Sequence, residues 1–213
     1  IPQQSFNAEA NKNIKTVTLL EPPMVKKIGV GILHHPGASF GLIGAAIAAA
    51  DTAGKTADYN NTLASNKVDW SAYTQQLIRA KLQQSGYTVT TLKARKENDK
   101  KQEFMEKYPD IKTDAILDYY YGVSHLATGP TTDYIPTVTI YSRLVKSSDK
   151  SVIYAQHFTS GNPAMSGKGA TVSPVTTGFK NIATLKSRSK ESVQALKSGV
   201  TTIAGLIGKD LKK

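Results

Sequence analysis

The stretch Gly37–Gly54, GASFGLIGAAIAAADTAG, restricts this chain more than any other part of it. Its uncharged apolar core, Ala38–Ala50, is 13 residues long. A membrane-spanning helix needs about 20, so this segment is too short to span. Strand alternation is absent and small residues dominate, recurring four apart at Gly37/Gly41, Gly41/Ala45 and Gly44/Ala48. That spacing lets a helix backbone approach its neighbour closely. Two readings stay open. One is a small-residue helix buried against a sheet. The other is an exposed apolar element for lipid contact or self-association, because so long an exposed apolar run is unusual on a soluble monomer. In that reading Phe40, Leu42, Ile43 and Ile47 supply the contacts. Thr52–Ser65 returns to polar composition, as a loop or as a continuing amphipathic helix.

Periodicity assigns most of the remaining chain. Lys15–Glu21 is β-branched and alternating, which predicts a strand, and Pro22-Pro23 ends it because proline offers no donor to a ladder. Lys27–Leu33 is a second strand, with Ile28, Val30 and Ile32 on one face and bare Gly29 and Gly31 on the other. Val68–Ser85 is a helix, with Asp69 as N-cap, Gly86 just past its end, and Trp70, Tyr73, Leu77, Ile78 and Leu82 on its apolar face. Tyr87–Leu92 follows at once as a strand. Lys93–Lys107 is dense in charge and exposed, with a short helix near Lys100–Lys107. Ala115–Leu126 alternates again: Leu117, Tyr119, Tyr121 and Val123 face one way, and Ile116, Asp118 and Tyr120 the other. Tyr134–Val145 and Ser151–Thr159 make a hairpin across Lys146–Lys150. Gly161–Lys180 reads as irregular. A last helix runs from Ser189 or Lys190 to about Leu211, with Val193, Leu196, Val200, Ile203, Ile207 and Leu211 in one stripe.

Grouped strands and two main helices predict an α+β fold: a largely antiparallel sheet of about five to six strands, both main helices on one face, and the Gly/Ala-rich apolar helix in addition. Residues 1–14 are polar and aperiodic and read as an N-terminal tether. Residues 15–213 read as a single α+β domain, a size that buries a core without staples.

Cysteine is absent, which excludes disulfides, thiolate metal sites and a cysteine nucleophile, and favours an oxidising compartment. The net charge is +11. It is uneven: from Arg143 to Lys213 there are 12 lysines and arginines against three acids, Asp149, Glu191 and Asp210. Such a region meets anionic lipid or an acidic partner, or is simply a solvated lysine face. Nucleic acid is disfavoured, since arginine occurs only at positions 79, 95, 143 and 188 and no nucleic-acid module is visible.

The residue types that could carry chemistry do not converge. His34-His35 are adjacent and point to opposite sides of an extended chain, while His125 and His157 lie on other strands. Asp114 and Asp118 share a strand face at four-residue spacing, but acid–base work needs a geometry that spacing does not supply. Gly161–Gly169 lacks P-loop spacing, and no serine sits in a nucleophile elbow. No catalytic residue, metal or cofactor is predicted. A hydrolase would need His34, His125, His157 and Asp118 to gather with a hydroxyl in one cleft. The run Tyr119, Tyr120, Tyr121 is a candidate ligand face for a glycan or peptide, because tyrosine combines area with a polar tip.

Phe6-Asn7, Ile14–Val17, Leu20-Glu21-Pro22, His35-Pro36-Gly37, Ser39–Gly44 and Ala48–Asp51 together resemble a family of small proteobacterial envelope lipoproteins of unassigned function. Ala127, Thr132–Val138 and Arg143–Val145 fit the same pattern. More distantly, the element order is similar to the periplasmic α+β domains of the curli secretion channel lipoprotein and of the N-terminal domain of the Tol–Pal translocation protein. A strand, Gly/Ala-rich stretch and helix also resemble the surface-exclusion lipoprotein of conjugative plasmids. The resemblance implies an outer-membrane or periplasmic address, anchoring through a lipidated N-terminal Cys that would precede Ile1, possible ring assembly, and no catalytic residues. The expectation is a non-enzymatic envelope lipoprotein acting as an assembly or interaction component, as in a secretion or envelope-spanning complex. Its expected partners are envelope proteins, further copies of itself, and anionic lipid at the basic C-terminal third. The alternative is a periplasmic binding module using the tyrosine face.

Overall fold

The computed structural model describes residues 2–39, 41–63, 67–95, 102–168 and 171–213. The chain runs β1 (Thr16–Leu20), β2 (Gly29–Ile32), a 3-10 turn (Pro36–Ser39), α1 (Gly41–Thr62), α2 (Trp70–Gln84), β3 (Thr88–Leu92), β4 (Ala115–Ala127), β5 (Ile135–Lys146), β6 (Val152–Gly161), a second 3-10 turn (Pro163–Lys168), β7 (Thr171–Pro174), α3 (Ile182–Ser187) and α4 (Ser189–Asp210). It is an α+β fold. Among the described residues the sheet has seven strands rather than about five to six, because β7 forms inside the stretch read as irregular. Residues 102–107, expected in part as a short helix, are a loop.

β4 organises the sheet. Its 13 residues exceed the length of β1 or β2, so one edge carries both in succession. Val17–Leu19 pair in parallel with Ala115–Leu117, and Gly29–Ile32 in parallel with Ser124–Ala127. The other edge pairs antiparallel with β5 from Ala115↔Lys146 to Leu126↔Ile135. The order is β3-β1-β4-β5-β6-β7 with β2 also on β4. The centre, β4-β5-β6, is antiparallel, while β3, β1, β2 and β7 join in parallel.

The alternation on β4 sorts its side chains as expected. Leu117, Tyr119, Tyr121 and Val123 enter the main core, on the face covered by α2 and α4. The stripe Val193, Leu196, Val200, Ile203, Ile207 and Leu211 is buried along its whole length. Asp69 caps α2 by accepting from the Ala72 amide at 2.9 Å. The two helices are tied at their C-terminal ends, where Ser85 Oγ donates to the Gly208 carbonyl at 2.7 Å and Tyr87 Oη to the Leu211 carbonyl at 2.8 Å. The segment read as a tether lies against the sheet: Gln4 exchanges backbone hydrogen bonds with Ala155 (2.8 and 2.9 Å), and Ile14 is buried.

β6 ends at Gly161, whose φ of +148° is one that residues with a side chain rarely adopt. A Cβ there would sit 2.5 Å from the Thr137 Cα and 2.6 Å from the Pro136 carbonyl oxygen. Both obstacles are backbone of β5 and cannot swing away. Gly161→Ala is therefore expected to lower stability by at least about 2 kcal/mol, measured by urea unfolding.

Candidate functional site

The 22 residues of α1 form a helix about 33 Å long, and its two halves behave differently. The C-terminal half is fastened to β2. Thr56 Oγ1 accepts from the Val30 amide at 3.0 Å, while the Asn60 side chain accepts from the Ile28 amide at 3.0 Å and donates to the Ile28 carbonyl at 2.8 Å. These side chains satisfy the edge of β2 that has no strand beside it, which also blunts that edge against stray pairing. Tyr59 is fully buried and shares a hydrogen bond with Ser192 of α4. Helix and strand pack closely at Gly31, where a Cβ would just reach van der Waals contact with Thr52 Cγ2, at 3.4 Å.

The N-terminal half is tied differently, by Asp51 at its end, whose carboxylate lies 3.5 Å from His35 Nε2. Among the described side chains of α1, none before Tyr59 is buried. Ile43 is 78% exposed and Ile47 59%, and Ala45, Ala46, Ala49 and Ala50 are exposed beside them. Of the four contact residues expected from the sequence, Ile43 and Ile47 are thus placed on the surface. Phe40 lies outside the described residues, and so does the side chain of Leu42. Met24 is a third exposed large apolar residue. Among the described residues, no helix is long and apolar enough to cross a membrane.

The three tyrosines do not form one face. A strand turns alternate residues to opposite sides. Tyr119 and Tyr121 are buried under the helices, and burial holds the Tyr119 hydroxyl well above its ordinary pKa. Tyr120 points to the opposite side and stacks on Tyr141 of β5 (4.6 Å between ring centroids), which stacks on His157 of β6 (3.9 Å). Register across three strands makes this ladder. Single-strand periodicity could not reveal it.

The same side of the sheet carries a buried ion pair. Asp118, fully buried, accepts from Arg95 Nη2 at 2.8 Å, the Met105 amide at 2.8 Å and Tyr108 Oη at 3.1 Å. Arg143 Nε donates to Tyr108 Oη at 2.9 Å and Nη2 to the Met105 carbonyl at 3.1 Å, while its guanidinium lies 4.3 Å over the Phe104 ring. Burial, and then the Asp118 charge, push the Tyr108 phenol far above its ordinary pKa. This cluster straps the charged connection after β3 onto the sheet. The sequence held one signal for it: two of the chain's four arginines are used here. Asp114 is elsewhere, accepting from the Lys15 and Thr16 amides at 2.8 Å each, and those backbone hydrogen bonds hold its carboxyl below the ordinary value.

The histidines are dispersed. His35 Nε2 is 3.5 Å from the Asp51 carboxylate. His125 sits in the core between the edges of Tyr59 and Phe179, on the opposite face of β4 from Asp118. His157 lies two strands away from Asp118. Among the described residues no group of three side chains could hold a metal ion. In the basic C-terminal third, Lys186 pairs with Asp58 at 2.7 Å, Arg188 with Glu191, and Lys150 with Asp110 at 3.2 Å. Lys197 and Lys213 lie over the rings of Tyr73 and Tyr87. Much of that charge is therefore tied to neighbouring side chains.

These features define an α+β protein with a mixed sheet and a helix whose N-terminal half exposes apolar side chains. No family model matches the chain, and no curated protein matches it. Among solved structures it is similar to a Xanthomonas campestris protein of the DUF330 family, at 14% identity and a TM-score of 0.45 over 99% of this chain and 86% of that one. It is also similar to PelC from Paraburkholderia phytofirmans, crystallised as a dodecamer, at 11% identity and 0.39 over 100% and 96%. A third is a Helicobacter pylori protein described as a homologue of the neuraminyllactose-binding hemagglutinin, at 11% and 0.40 over 100% and 91%. These are distant likenesses of chain path, and no residue role is carried over from them.

Proposed function

We propose that this protein is a non-enzymatic component of the cell envelope, held at the outer membrane by a lipidated N-terminus, that assembles through the N-terminal half of α1. The observation that carries the reading is the exposure of Ile43 and Ile47 on a helix whose flanking exposed positions are alanine. Alanine gives strong helix propensity with little side-chain bulk. A second helix or a second copy can therefore approach closely, with the two isoleucines as anchors. The sequence resemblance to envelope lipoproteins supports the address, and the lack of cysteine agrees with it.

Light scattering tests the assembly. Burying one isoleucine contributes about 1.5–3 kcal/mol, so Ile43→Asp with Ile47→Asp should weaken association by roughly 100-fold or more. Both positions are exposed in the single chain, so at dilutions where wild type is monomeric the melting temperature should not change. A wild-type protein that stays monomeric at high concentration and ignores vesicles, as the double variant does, would refute the reading.

A further inference from the structure

The far end of α1 borders a second feature, independent of the exposed isoleucines. The start of β2, the end of α1 and the beginning of α2 enclose a cavity of about 260 Å³. Its floor is apolar: Ile28, Leu63 and Trp70 all line it, and all are buried in the core. Its rim carries Lys26, Lys27 and Lys67, and no acidic side chain is among the described lining. The contrast within the molecule is informative. A cavity of similar size, about 280 Å³, beyond the ends of β1 and β3 is lined by Glu21 and Asp69 as well as Lys93 and Arg95, so it selects neither sign of charge.

We infer that the lysine-rimmed cavity binds a small anionic amphiphile, a carboxylate or phosphate on a short hydrocarbon stem. Each part of the ligand follows from a part of the wall. Three ammonium groups without a counter-carboxylate concentrate anions at the mouth. Ile28, Leu63 and Trp70 offer an apolar stem a surface that water solvates poorly. About 260 Å³ lies just below the usual range of small-molecule pockets, roughly 300–1,000 Å³, which suits a short stem better than a whole phospholipid. The same chemistry could come from a free molecule or from one exposed end of a longer anionic lipid in a bilayer.

Trp70 is the chain's single tryptophan, so tryptophan emission comes from a residue in this cavity's wall. Titration of the full chain with sodium octanoate should give a saturable change in Trp70 emission that weakens at high salt. Octanol, which has the stem without the charge, and inorganic phosphate, which has the charge without the stem, should each bind at least tenfold more weakly. Lys27→Glu with Lys67→Glu should weaken octanoate at least tenfold without shifting the melting temperature, since both lysines are exposed. Vesicles of phosphatidylglycerol and phosphatidylcholine provide the other source, and a response to them without one to octanoate assigns the ligand to the membrane. Three results would overturn the inference: silence of Trp70 towards both octanoate and anionic vesicles, octanol binding as well as octanoate, or octanoate binding unchanged in the lysine variant. Ile43→Asp with Ile47→Asp should leave the octanoate response intact, so failure of the assembly reading and failure of this one are separable.

Discussion

Replacing Asp118 by alanine is expected to remove about 3–5 kcal/mol of stability, the usual result of stripping one partner from a buried ion pair. Whole domains are stable by only about 5–15 kcal/mol, so the loss is a large fraction. Asp118 is fully buried, and the side chain of Arg95 is 6% exposed. Without the carboxylate, the guanidinium keeps its bond to the Glu103 carbonyl (2.9 Å) but loses the buried Asp118 charge that faces it. The Met105 amide and the Tyr108 hydroxyl lose an acceptor in the same step. Asp118→Asn keeps an acceptor and should cost less. The double variant with Arg95→Met should lose less than the two single losses summed, because each single variant already removes the Asp118–Arg95 attraction. Urea unfolding of the four proteins measures this cycle, and strict additivity would show that the pair is not the source of the loss.

Stability should also fall steeply between pH 6.5 and pH 4, through His125. Burial lowers its pKa to about 3, against about 6.5 in an unfolded chain. Among the described residues neither ring nitrogen has a hydrogen-bond partner, and Tyr59 and Phe179 close on the ring edge to face. Between the two pKa values the unfolded state binds a proton that the folded state refuses. The contribution is therefore fully present above pH 6.5 and is lost as pH falls. At pH 4.5 the loss is about 2.7 kcal/mol, two units at 1.36 kcal/mol each. Asp210, whose carboxyl is raised by burial, works in the opposite sense over the lower part of this range. Asp114, whose carboxyl is held down by backbone hydrogen bonds, adds to the acid loss only below its unfolded pKa. His125→Phe isolates the histidine. It should unfold at pH 7 with stability equal to or above wild type, since it also removes two unpaired polar atoms. Its stability at pH 4.5 should exceed wild type by most of that 2.7 kcal/mol. An equal acid loss in both proteins would assign the effect to other groups.

What was readable from the sequence was whatever depends on neighbours along the chain. The stripe from Val193 to Leu211, the Asp69 cap, the hairpin across Lys146–Lys150 and the alternation on β4 are local patterns, each set by a helical or extended repeat. That alternation already implied that Tyr119 and Tyr121 could not share a surface with Tyr120. The tyrosine run looked like a ligand face only while it was read as composition. β7 and α3 are not legible in the sequence because four and six residues are too few for a period to show. The Asp118–Arg95–Tyr108–Arg143 cluster joins parts of the chain up to 48 residues apart, so no spacing rule could reach it.

The same division applies to Gly37–Gly54. Its length, its helical tendency and its inability to span a membrane are properties of those residues alone, and the sequence determined them. Whether the helix would be buried or exposed was not theirs to determine. That depended on where β2 ended in the sheet. Because β2 lies on the outer side of β4, its free edge takes the polar side chains of Thr56 and Asn60, and the helix is fastened by its C-terminal half. In the N-terminal half the described Ile43, Ala45, Ala46 and Ile47 are left exposed. Only the tertiary structure decided this, because exposure is a relation between a segment and everything that packs around it.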